Sequence, residues 1–176
     1  PRPEVLGDAV YDALTANEYG QYDDLIGTLA PVLGERGLTY LRGRMTALAK
    51  TPLKRPAGKD RVAVGWASSG AIYQDEIDER SRDSTVKLAL MEIADALGDV
   101  DAFIAQYDEP TRKVPRIAAE IANRLVAADR ADDALQILDE ATQNNPSHSR
   151  FDWPDFKWVD ARTVSYTHLR AHETEA

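Results

Sequence analysis

Apolar residues recur at three- and four-residue steps along most of the chain, a period that predicts α-helices. In the first block Val5, Ala9, Val10, Ala13 and Leu14 form one stripe, and Asn17-Glu-Tyr-Gly20 ends that helix. A second helix is expected from about Asp23, with Leu25, Ile26, Leu29 and Leu33 facing inward and Pro31 kinking or closing it. Gly34 and Gly37 are separators before a third helix that carries Leu38, Leu41, Met45 and Leu48. Residues 51–70 break the pattern. Their two prolines and polar content predict a loop, and the extended-looking Arg61 to Trp66 is too isolated to predict a sheet.

A long helix is expected from Ile72 or Tyr73. Its charged first half, Asp75 to Lys87, faces solvent, and Val86, Leu88, Ala89, Leu90, Ile93, Ala94 and Leu97 enter the core. Gly98-Asp99 breaks it, Val100 to Tyr107 forms a short helix, and Pro110 closes that helix. The clearest architectural unit lies at 114–143. Ile117, Ile121, Ala122 and Leu125 make one face, Asp129-Arg130 reverses the chain, and Ala134, Leu135, Leu138 and Ala141 make the facing stripe. Small residues at Ala122 and Ala134 with bulky Leu125 and Leu138 resemble a tetratricopeptide repeat, which departs from its usual pattern at Asp129, where a turn glycine is missing. The expected fold is all-α: antiparallel helical hairpins in a tetratricopeptide-like α-solenoid over 1–163, with a loop at 51–70 and an incomplete final unit at 153–163 that leaves Trp158 without a partner surface.

Composition narrows the function classes. The formal net charge is -9, which argues against a surface that tracks nucleic-acid phosphates or an anionic membrane. The absence of cysteine excludes disulfides and thiolate-ligated metals within this sequence. No apolar run approaches the roughly 18 residues of a spanning helix. A cytoplasmic setting is expected.

The final stretch has a different character. Val164 to Thr174 resembles a translated sequencing adapter, and 164–176 holds two of the three histidines, so these residues are expected to be a non-native tail. With Pro1 in place of an initiator Met, the chain reads as a fragment cut at both ends.

Candidate chemistry is sparse. His168 and His172 have the spacing of a metal pair on one helix face, but lie in the adapter-like tail; His148 stands in a loop-like Asn-Pro-Ser-His-Ser-Arg run. Gly65-Trp-Ala-Ser-Ser-Gly70 has phosphate-loop glycine spacing, yet Ala71 and Ile72 replace the required Lys and Ser/Thr, and neither serine fits a nucleophile elbow. Asp75, Glu76, Asp78 and Glu79 could gather a hard cation, but a solvated or partner-facing helix surface is the simpler reading. The basic residues Lys50, Lys54, Arg55, Lys59 and Arg61 lack the interleaved aromatics of a nucleic-acid site and fit docking of an acidic segment elsewhere in the full protein. The 65–70 segment is expected to be a lead-in to the long helix, with Trp66 anchoring it on the core. If a binding surface is present, its aromatics are Trp66 and Tyr73.

Several segments identify a family resemblance: Tyr19-Gly-Gln-Tyr-Asp-Asp-Leu-Ile26, Gly65-Trp66, Ile72-Tyr-Gln-Asp-Glu-Ile77, Gly98-Asp-Val-Asp-Ala-Phe-Ile-Ala-Gln-Tyr107 and Arg112-Lys-Val-Pro-Arg-Ile-Ala-Ala-Glu-Ile121. Through about Arg162 the chain resembles an uncharacterised, chiefly alphaproteobacterial family with a domain of unknown function. That resemblance implies longer helical proteins of tetratricopeptide-like character and carries over no catalytic, cofactor or metal residues. The expected role is a helical-repeat scaffold or interaction module for a protein or peptide partner, without cofactor, nucleic acid or membrane. The alternative is the structural part of a larger enzyme whose catalytic residues lie outside this sequence.

Overall fold

The computed structural model describes residues 2–17, 21–22, 24–143 and 156–174. They fall into two compact units, Pro1–Leu97 and Gly98–Ala176.

In the first unit, α1 (Pro3–Thr15) begins with proline in its first turn, where a missing N–H costs nothing. Its inward stripe is Gly7, Val10 and Leu14, with Leu6 and Tyr11 alongside. Val5 is exposed, as is Ala9, which corrects the expected stripe by a rotation of the helix. Val10 and Leu14 still share the buried seam, so the 3.6-residue period held while its phase did not.

Helix α2 (Leu25–Lys50) is interrupted at Gly34, whose φ of 59° and ψ of 178° are not helical. The two expected helices are therefore present on either side of that break. Gly37 is no separator; it lies within the helix and is buried. Its missing side chain lets Leu33 and Pro3 close in, since a Cβ there would lie 3.1 Å from Leu33 Cδ2 and 3.4 Å from Pro3 Cβ. Ile26, Leu33, Leu38, Leu41 and Met45 are buried against α1 and against α3 (Gln74–Leu97). From α3 come Val86, Ala89, Ile93 and Ala94, whereas Leu88 is 57% exposed and falls outside the core expected for it.

Between α2 and α3 the chain is not a plain loop. A 3₁₀ turn at Gly58–Asp60 leads into an antiparallel hairpin of β1 (Ala63–Ala67) and β2 (Gly70–Tyr73). The protein is thus mostly, not purely, helical. Short strands without an Asn-Gly or Asp-Gly turn gave little sequence signal. Here Ser68-Ser69 make the connection, and Gly70 takes a φ of 120° that a side chain would disfavour.

The second unit opens with α4 (Val100–Ile104), whose capping residue Asp99 accepts the Ala102 amide at 3.0 Å. Pro110 opens a further turn, α5 (Glu109–Arg112), instead of closing α4, and Asp108 caps it by accepting the Thr111 amide at 2.9 Å. Next, α6 (Pro115–Ala127) and α7 (Ala131–Gln143) pack as the predicted hairpin. Ile121, Ala122, Leu125, Ala134, Leu138 and Ala141 are all fully buried. Burial of these aliphatic side chains stabilises the hairpin by about 1.5–3 kcal/mol for each large one.

Helix α8 (Phe156–Thr174) packs on α6 and α7. Trp158 does have a partner surface: its indole Nε1 donates to the Leu138 carbonyl oxygen at 3.0 Å. The helix also crosses positions 163 and 164 without a break.

Candidate interaction surface on the hairpin

The segment that feeds the hairpin is tied down by ionic and polar contacts to one side of α3. Arg82 Nη1 donates to the Thr51 carbonyl oxygen at 2.7 Å, and Arg55 Nη2 meets Glu79 Oε2 at 2.5 Å. Arg61 reaches Asp75 through Nε at 3.0 Å and Glu76 through Nη2 at 2.7 Å. Positions 75, 79 and 82 recur at helical spacing, so the strap runs antiparallel to α3 along a single face. Two arginines of the basic stretch are therefore matched by acidic residues of the same unit, not by a segment elsewhere in a longer protein.

This arrangement decides the chemistry of the acidic cluster. The Arg61 guanidinium holds the Asp75 and Glu76 carboxyls below their ordinary values, and the two carboxylates raise Arg61 in return. Arg61 is 23% exposed and Asp75 12%, so this is a half-buried clamp. The Gln74 side-chain Nε2 donates to Asp78 Oδ1 at 2.7 Å. Ionised, paired carboxylates are poor proton shuttles at neutral pH. Among the described residues no cluster of His, Asp or Glu could hold a metal ion.

The same arginine positions one of the two expected aromatics. Its guanidinium carbon lies 3.8 Å from the centre of the Tyr73 ring, a stacked cation–π contact. Tyr73 pairs with Ala63 across the hairpin, and Trp66 pairs with Ala71. A bulge between Ala63 and Gly65 rephases β1, so that Ala63 and Trp66 both share a face with Ala71 and Tyr73. The pairing of Trp66 with Ala71, two residues from Tyr73, puts Trp66 and Tyr73 on one side of the ribbon.

Trp66 is 81% exposed. It does not anchor a loop on the core; it stands out on a strand whose same-face neighbours Ala63 and Ala71 are too small to cover it. Val62 and Val64 are exposed on the same segment.

Other candidates do not assemble. Gly65 and Gly70 lie on paired strands, a geometry that cannot cradle a phosphate at the start of a helix. His168 Nε2 lies 3.2 Å from Asp129 Oδ1, while the His172 side chain and all of His148 lie outside the described residues. A cleft of about 350 Å³ beside Arg82 is lined by Thr15, Leu48, Asp78, Ser81 and Thr85. Sequence reading missed it because its walls come from three separate helices. No described helix is long and apolar enough to cross a membrane.

Residues 1–170 match a family described as a family of unknown function, DUF6880. The chain belongs to the DUF6880 family. Membership agrees with the resemblance read from the segments between Tyr19 and Ile121, and the family match extends past Thr163 to position 170. No curated protein and no solved structure matches the chain.

Proposed function

We propose that the protein is a helical interaction module that contacts a protein or peptide partner through the outer face of its β-hairpin. The observation that carries this reading is Trp66, 81% exposed on a face shared with the clamped Tyr73. Tryptophan and tyrosine supply large contact areas with few rotatable bonds, which is why they concentrate binding energy at interfaces. The strap that fixes Arg61 on Asp75 and Glu76 preorganises the face, lowering the entropic cost of association.

We further read α6 and α7 as one tetratricopeptide-like unit and α8 as the first helix of a following one. The small residues Ala122 and Ala134 at the helix contact, both fully buried, support that reading. A cytoplasmic setting fits the acidic composition without cysteine.

Site-directed photo-crosslinking tests the hairpin reading. With a benzophenone amino acid at position 66, in cells that make the protein natively, a discrete adduct should form. It should be absent when the probe replaces Thr39, an exposed residue of α2. Identical adduct patterns at the two positions, or none at position 66, would reject the hairpin as the contact.

A further inference from the structure

The second unit carries a cleft of about 270 Å³ between α4, α5, α6 and α7, with apolar walls from Ile104, Leu125 and Ile137. Three cations line it: Arg112, Lys113 and Arg130. Two are neutralised within the protein. Lys113 Nζ pairs with Glu109 at 2.6 Å, and Arg130 pairs with Asp133 through Nε and with Asp101 through Nη1, each at 2.7 Å. Those carboxylates raise both cations above their ordinary values, as expected for committed pairs.

Arg112 differs. Its Nε donates to the carbonyl oxygen of buried Tyr107 at 2.9 Å, which fixes the guanidinium plane. Its terminal nitrogens make no hydrogen bond or ion pair to a carboxylate among the described residues, and the nearby Glu109, which also feels its charge, is committed to Lys113. The backbone that presents it is stiff: Asp108 caps the turn, Pro110 fixes its first residues, and the Arg112 amide donates to the Asp108 carbonyl oxygen at 3.1 Å. Tyr107 packs edge-on against buried Phe103, with ring centres 5.7 Å apart.

A guanidinium anchored through Nε, with no carboxylate bonded to its terminal nitrogens among the described residues, is a fork for a planar oxyanion. We infer that this cleft binds a carboxylate carried on a short apolar stem, the carboxylate on Arg112 and the stem against Ile104 and Ile137. A monoanion fits better than a phosphate dianion, because Glu109, Asp133 and Glu140 also line the cleft and would repel the second charge. The volume suits one small side chain or stem and is below the usual range for larger organic ligands. Such a carboxylate has two natural sources, a free small acid or the C-terminus of a peptide. The site is independent of the hairpin reading.

Amide-detected NMR titration of the full chain tests it, with N-acetyl-leucine, its carboxamide, acetyl-Ala-Ala-Leu and inorganic phosphate as probes. N-acetyl-leucine should shift the amides of Ile104, Arg112 and Ile137. Binding should weaken by about tenfold or more for the carboxamide and for Arg112→Gln. Arg112→Lys, a point charge without the fork, should fall between wild type and Arg112→Gln; it also serves if the glutamine variant loosens α5. Tighter binding of the tripeptide assigns the site to chain ends, and equal binding assigns it to free acids. Equal binding of acid and carboxamide, stronger binding of phosphate, or unchanged affinity in both Arg112 variants would overturn the proposal.

Discussion

The Arg130 backbone amide donates to the Leu125 carbonyl oxygen at 2.8 Å, closing α6 with a six-to-one hydrogen bond. The Asp129 amide adds a bond to the Val126 carbonyl oxygen at 3.0 Å, and Asp129 itself sits at a φ of 58°. This is the Schellman geometry that a glycine would normally supply. Asp129 tolerates the left-handed region better than most side chains, but at a cost glycine avoids. Asp129→Gly should therefore stabilise the second unit by about 0.5–1 kcal/mol, and Asp129→Ala should destabilise it. The contact from Asp129 to His168 subtracts little, because that carboxylate is 80% exposed. Denaturant melts of the two variants check the sign; a glycine variant less stable than wild type would remove the turn argument.

That turn shows what the sequence discloses and what it hides. The stripes Ile121–Leu125 and Ala134–Leu138 were readable because a helix pair buried along its whole seam imposes a strict period. Even the missing turn glycine pointed to a real backbone feature at Asp129. Phase was less readable: Val5 and Leu88 are apolar residues that their helices leave outside, since many exposed positions tolerate them. At the candidate surface, residue type alone singles out Trp66 and Tyr73 and leaves Trp66 open between a core anchor and a surface aromatic. Its exposure goes with small same-face neighbours, Ala63 on its own strand and Ala71 across the ribbon, which are pairings and not composition. The Arg61 clamp joins residues 14 and 15 positions apart through side chains, so charge counting saw a basic run and an acidic run without their mutual match. Arg112 stands in a family-like segment, but its cleft is lined from four helices, α4 to α7, that only the fold brings together.

Two glycines in the first unit should respond oppositely to the same substitution. Replacing a helical glycine by alanine gains about 1 kcal/mol of backbone propensity when space permits. Gly43 in α2 has nothing within 4 Å of an added Cβ, so Gly43→Ala should raise stability by about that amount. Gly7 in α1 faces Tyr40, and an added Cβ would lie 2.9 Å from its Cδ1 atom. The ring cannot retreat freely, because the Tyr40 hydroxyl donates to Asp8 at 2.8 Å and Arg44 pairs with the same carboxylate. Overpacking of that kind costs about 1–3 kcal/mol, enough to outweigh the propensity gain. Thermal melts should show Gly7→Ala below wild type and Gly43→Ala above it; the same sign for both would mean that the crossing of α1 and α2 is looser than described.

The Arg61 clamp sets an acid dependence. Arg61 lowers Asp75 and Glu76 in the folded state, so their ionised forms stabilise folding. That contribution is complete above the unfolded carboxyl range of about pH 4 and is lost as pH falls through the lowered folded values. Arg61→Gln removes it at every pH. The variant should melt below wild type by a constant margin near neutrality, and the gap should close as pH drops below about 4. Melting curves across that range decide the matter. A gap that stays constant into acid would mean that Arg61 acts through its stack on Tyr73 instead of its carboxylates.

We propose that residues 164–176 are foreign to the domain, although α8 continues through most of them and the family match reaches position 170. Two contacts that seat α8 lie before them, Trp158 donating to the Leu138 carbonyl oxygen and Arg162 pairing with Asp139, and past Thr163 His168 Nε2 lies 3.2 Å from the exposed Asp129 carboxylate. Past Thr163 the one described side chain that is fully buried is Ser165, whose hydroxyl is satisfied within its own helix by the Ala161 carbonyl oxygen at 2.7 Å. Val164 and Tyr166 are exposed. The local hydrogen bonds of a helix end have a small net worth when that end can fray into water. A chain ending at Thr163 should therefore keep the near-ultraviolet signature of Trp158 and lose no more than about 1 kcal/mol of stability. Loss of several kcal/mol, with the indole signal collapsed, would make 164–170 an integral part of the second unit and would place the domain boundary at the end of the family match instead.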